Sequence, residues 1–109
     1  MSDMKVIVSQ DDLEHIYSSG IVGIQVTMTE TKELRDDNFS ILVRLKDGLR
    51  RQGVNIGRFT SKENADRAAY YIDNKMLDET VKRIFVPSDF DAGLHIRADG
   101  TDKRETEED

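Results

Sequence analysis

The sequence predicts an α+β domain in which a three-stranded antiparallel meander packs on one helix, with an extra strand and a short helix at the N-terminus. Three stretches predict it. Residues 54–76, VNIGRFTSKENADRAAYYIDNKM, change their apolar period from two to three and four partway along, which marks a strand running into an amphipathic helix. Residues 39–46, FSILVRLK, set Phe39, Ile41, Val43 and Leu45 against Ser40, Leu42, Arg44 and Lys46, and Asp47-Gly48 follows as a two-residue hairpin signal. Residues 21–29, IVGIQVTMT, alternate Ile24, Val26 and Met28 with Gln25, Thr27 and Thr29, the pattern of a strand with one wet face.

From the N-terminus, residues 4–9 read as a short strand, with Val6 and Val8 on one face and Ile7 on the other. Leu13, Ile16 and Tyr17 then lie at i, i+3 and i+4, so a helix of two to three turns is expected over residues 11–19, capped by Ser9 or Asp11 and ending near Gly20. After the first meander strand, residues 30–38 have no apolar period and form a loop. The third strand is LRRQGVNIGRF, residues 49–59. The packing helix runs from about residue 61 to 76, with Thr60 or Ser61 as cap, Glu63 or Asn64 in the capping-box position, and Ala65, Ala68, Ala69, Ile72 and Met76 on its apolar face. Residues 80–86 read as another short strand stopped by Pro87, and residues 88–100 can add one more through Leu94 and Ile96.

The folded domain is expected to span residues 1–98. Residues 99–109 carry six acids and two bases without apolar anchors, and are expected to form a disordered acidic tail. Phe39, Phe59 and Phe85 fall at core positions. Tyr70 and Tyr71 are adjacent, so one is expected to be buried and the other exposed, with an exposed Tyr71 able to touch a partner.

Composition narrows the class. A chain of 109 residues supports one domain with one modest core, and 37% hydrophobic against 35% charged residues suits a water-soluble globule. No apolar run approaches the roughly 18 residues of a membrane helix, and the first residues lack the order of a signal peptide, so a cytoplasmic location is expected. Cysteine is absent, which excludes disulfides, thiolate metal sites and cysteine nucleophiles.

The net charge of −6 is unevenly spread. Between residues 39 and 62 six bases face one acid, a local +5. Such segregation accompanies a basic binding surface and an acidic tail, and it also fits the solvated outer face of an exposed hairpin. In the meander, Arg44 and Lys46 project from the solvent face of the second strand, and Arg51 and Asn55 from the matching face of the third, flanked by Arg50 and Arg58. Lysine and arginine there can neutralise phosphates, Arg44 or Arg51 can meet guanine bidentately, and the Asn55 amide offers the donor and acceptor that suit adenine. A small sheet fits a major groove about 12 Å wide.

The succession SGIVGI, FSILVRLKDG and VNIGRFTSKENADRAAYYID resembles the AP2 family of DNA-binding domains and its relatives in bacterial and phage integrases and homing endonucleases. The resemblance covers residues 21–73, and its best portion is the Gly57-Arg58-Phe59 corner followed by Ala65, Arg67, Ala68 and Tyr70. It implies a three-stranded sheet backed by one helix, with the sheet laid in the major groove of duplex DNA. The chain departs from the family at two positions used against DNA, with Val22 in place of an arginine and Asn55 in place of a tryptophan.

A different class also fits. The acids Asp11, Asp12, Glu14, Glu33, Asp36 and Asp37 and the acidic end suit a protein-interaction module, such as a phage-encoded inhibitor or adaptor acting on a host protein, in a sharper version by imitating the charge of DNA. Catalysis has little support. His15 and His95 stand alone, Asp89 and Asp91 lack the further ligands of a calcium loop, and no glycine pattern cradles phosphate. A non-enzymatic regulatory binding protein with no metal and no cofactor is therefore expected.

Overall fold

The computed structural model describes residues 4–28, 39–46 and 53–106. These build two three-stranded sheets and one main helix, an α+β fold. The first sheet has β1 (Val6–Val8) at its centre, antiparallel to β2 (His15–Tyr17) and parallel to β6 (Arg83–Phe85). The second is the predicted meander of β3 (Ile21–Met28), β4 (Phe39–Leu45) and β5 (Val54–Phe59) in sequence order. Helix α1 (Lys62–Leu77) packs on the inner face of the meander and also touches β6.

Burial explains the layers. Ile41 and Val43 of β4, Val54, Ile56 and Phe59 of β5, and Ala65, Ala68 and Ile72 of α1 form the core with Ile7, Ile16 and Ile84 of the first sheet. The helix offers alanine where the strands offer branched and aromatic side chains, so the small helix face lets the two surfaces approach closely. Fully burying Phe59 alone is worth roughly 1.5–3 kcal/mol. The predicted start of α1 holds: Ser61 is the cap, and its hydroxyl accepts from the Asn64 amide at 3.1 Å. At the other end the buried Lys5 ammonium donates to the carbonyls of Asp78 and Val81, closing the turn that leaves the helix.

Four expectations are corrected. The short helix expected over residues 11–19 is a tight turn followed by β2 and a single 3-10 turn at Ser18–Gly20. Leu13, Ile16 and Tyr17 have helical spacing, but only Ile16 is buried, while Leu13 is 81% exposed. Pairing Ile7 with Ile16 across two strands, and turning the chain with Asp12 at φ 61, buries the one residue that matters. Ser9 fixes the turn: its hydroxyl donates to the Asp11 carboxylate at 2.5 Å and accepts from the Glu14 amide at 3.1 Å.

Leu94 and Ile96 do not lie on a strand. Ser88 caps a six-residue helix, α2 (Asp89–Leu94), and Ile96 forms only an isolated bridge to Asp102. Phe85 is 60% exposed, because on the three-residue β6 only the central Ile84 faces the core. The tail from Asp99 is ordered through Thr106, where Lys103–Thr106 forms α3. Asp102 is buried, Asn74 donates to the Asp99 carbonyl at 3.0 Å, and Lys75 pairs with Glu105 at 2.6 Å, so polar contacts to α1 supply the anchoring that apolar residues do not. Of the tyrosines, Tyr70 faces solvent, whereas Tyr71 is partly buried under the Lys75 ammonium, 5.4 Å from its ring centre. Among the described residues no helix is long and apolar enough to cross a membrane.

Candidate nucleic-acid interface

Strict alternation along β5 would put Asn55 on one face and Arg58 on the other. The structure instead breaks the register there. Val54 pairs with Val43 and Asn55 with Leu42, but Gly57 pairs with Ile41 and Arg58 with Ser40, so Ile56 is an extra residue, a β-bulge. The bulge shifts the phase by one, keeps Phe59 in the core and turns Arg58 to the same outer face as Asn55. Its backbone is held by Asn55, whose carbonyl oxygen accepts from the Gly57 amide at 3.0 Å while its amide nitrogen donates to the Ser40 hydroxyl at 3.1 Å.

The outer face of the meander therefore has three rows. Gly23 lies beside Arg44; Gln25, Leu42 and Asn55 form the middle row; Thr27, Ser40 and Arg58 form the last. Arg44 is exposed on this face, and Lys46 is exposed one residue beyond the end of β4. Four residues of β4 separate the rows of Arg44 and Arg58, so their backbones stand about 14 Å apart along the sheet. Of the predicted site, Arg44, Lys46, Asn55 and Arg58 share this side of the molecule, while Arg50 and Arg51 lie outside the described residues. Asn55 reaches the surface with both ends of its amide already engaged within the protein.

Beside Arg58 the surface opens into a cleft of about 510 Å³, lined by Gln10, Asp11, Asn55, Arg58, Ser88 and Asp89 among others. Gln10 builds it. The Gln10 side chain accepts from the Arg58 amide at 2.7 Å and donates to the carbonyls of Arg58 at 3.2 Å and Pro87 at 2.8 Å, while its own amide donates to the Ile56 carbonyl at 2.9 Å. This clamp joins the first sheet's turn to the bulged edge of the second. The Arg58 Nη1 is buried without a hydrogen-bond partner among the described residues.

Two carboxylates share the cleft. Burial works to raise the Asp89 pKa, but hydrogen bonds from the Thr60 amide, the Asn64 side chain and the Thr60 hydroxyl outweigh it and hold the group below its usual range. Asp11 is lowered chiefly by the Ser9 hydroxyl and then by the Leu13 amide. Both acids are thus tied into the fold, and neither pairs with Arg58. The histidines stand apart, with His15 at 3.1 Å from Asp12 and His95 at 3.9 Å from Asp91. Among the described residues no three metal-ligating side chains gather.

Sequence reading missed the bulge and the Gln10 clamp. The bulge had a signal, since Val54, Ile56 and Phe59 are all apolar although 56 and 59 differ by three. Gln10 had none, because its partners lie 48 and 77 residues away. No protein-family model, no curated protein and no solved structure matches this chain.

Proposed function

We propose that this is a non-enzymatic regulatory protein that binds duplex DNA through the outer face of β3, β4 and β5. The observation that carries the reading is the bulge at Ile56, which sets Arg58 on the face of Arg44 at a separation of about 14 Å, close to the roughly 12 Å width of a major groove. Arg44 and Arg58 then meet phosphates at the two margins of the groove. Lys46, exposed just beyond β4, extends the basic margin. Phosphate contacts of this kind position the protein, and base reading falls to Gln25 in the middle row. The meander followed by one helix is also the arrangement implied by the AP2 resemblance, which supplies the mode of docking.

A titration of isotope-labelled protein with random duplex DNA tests it. Amide shifts concentrated at Arg44, Asn55 and Arg58 are expected, and an unchanged spectrum refutes it. A second reading, an acidic module bound to a host protein, is favoured by one observation: Phe90, 71% exposed, and Leu94 lie one turn apart on α2 beside Asp89 and Asp91. Retention of a specific protein from lysate after nuclease treatment selects that reading.

A further inference from the structure

The edges of the two sheets are protected unequally. β2 and β6 are three residues each, too short to template another strand. The free edge of β5 is occupied by Gln10, whose amide and side chain bond to Ile56 and Arg58. β3 differs. It is the longest strand at eight residues, and among the described residues nothing pairs with its outer edge. Natural edges of that length carry charges, proline, inward lysines or bulges. IVGIQVTM has no charge and no proline, in a chain where 35% of residues are charged, and its one register break, between Ile21 and Gly23, leaves residues 23–28 regular. Val22, the extra residue of that bulge, and Met28 are both 61% exposed.

We infer that β3 pairs antiparallel with β3 of a second copy, with the twofold axis at Gln25, to make one continuous six-stranded sheet. An isologous antiparallel pair that keeps both core faces on one side requires opposing residues of equal parity. Centred on Gln25, that register sets Ile24 opposite the other copy's Val26 along the regular stretch that follows the bulge at Val22. On the outer face Gln25 meets Gln25, and Gly23 meets Thr27. A Cβ built at Gly23 would find nothing within 4 Å, so the approach is open. Charge selects the same edge: each copy carries −6, and an uncharged strand is where two copies approach with least repulsion.

The area fits a weak dimer. Eight residues span about 27 Å, and the sheet with α1 behind it is about 20 Å deep, so roughly 500 Å² per copy is covered, near the lower limit for a specific interface. Association in the micromolar range follows. This inference does not depend on DNA binding.

Because the chain lacks cysteine, a single introduced thiol reports the register. Gln25→Cys places two thiols across the twofold and is expected to give a cross-linked dimer on mild oxidation. Thr27→Cys, with its Cα atoms about 14 Å apart in this register, is expected to give none, since a disulfide needs Cα atoms within about 7 Å. Sedimentation of the unmodified protein is expected to rise from 12.5 kDa toward twice that mass with concentration. Gln25→Glu and Gln25→Lys each set like charges across the twofold and are expected to raise the dissociation constant several-fold, and mixing the two variants to restore association by opposing unlike charges. The variants change surface positions, and circular dichroism checks their fold. A monomer at all concentrations, equal cross-linking of both cysteine variants, or no rescue by the charge pair would overturn the pairing.

Discussion

Replacing Gln10 by alanine is the most direct probe of how the two sheets are held together. The substitution deletes three side-chain hydrogen bonds, at 2.7 Å from the Arg58 amide, 3.2 Å to the Arg58 carbonyl and 2.8 Å to the Pro87 carbonyl. At a net value of about 0.5–1.5 kcal/mol each, and with the Arg58 amide left without its acceptor, the expected loss is about 2–4 kcal/mol. The main-chain bond from the Gln10 amide to Ile56 survives, so the fold itself should remain. Against a total of roughly 5–15 kcal/mol for a domain of this kind, that loss is easily measured. Urea unfolding followed by far-UV circular dichroism is the assay, and the midpoint should fall while the slope m stays constant. Gln10→Glu should do no better, because its carboxylate would face two carbonyl oxygens. A loss below about 0.5 kcal/mol for Gln10→Ala would show that the side-chain bonds do not carry the junction.

Other consequences are as concrete. Gly100 has φ +86, and a Cβ there would stand 2.4 Å from the Tyr70 carbonyl carbon, so Gly100→Ala should undock residues 96–106 while leaving the core intact, seen as loss of amide exchange protection confined to that segment. Ser61→Ala removes the cap of α1 and should cost about 1 kcal/mol in thermal or urea unfolding. Asp89 and Asp102 are held below the ordinary carboxylate range, Asp89 through the hydrogen bonds that outweigh its burial and Asp102 chiefly through the Arg104 guanidinium. A depressed carboxylate contributes stability that is fully present above its unfolded pKa and lost as pH falls through the folded one, so the protein should weaken below about pH 4, and Asp89→Asn should flatten that decline in an acid titration.

Much of the fold was legible because local pattern and tertiary burial agree along residues 39–45 and 54–77. The change of period at Thr60, the Ser61 cap and the alanine face of α1 each specify the same element. Residues 11–19 were not legible, because the spacing of Leu13, Ile16 and Tyr17 is compatible with a helix, and the deciding factor is the nonlocal pairing of Ile16 with Ile7. The docking of residues 99–106 was hidden for a similar reason: one buried isoleucine, Ile96, and a set of polar bonds to Asn74 and Lys75 leave no periodic trace. On the candidate interface, composition located the basic residues, but the face of Arg58 depended on a bulge visible only as a break in apolar phase. Asn55 shows the other side of this. Its amide suits adenine on paper, and the fold uses both ends to support that bulge.

Binding of labelled duplex DNA as a function of salt tests the central claim most directly. If about four phosphates are engaged, log K should fall against log salt with a slope near −3.6, roughly 0.9 per phosphate, and Arg44→Ala or Arg58→Ala should each reduce the slope by about one such step. A slope near zero, or a slope unchanged by either substitution, would contradict nucleic-acid binding by this face.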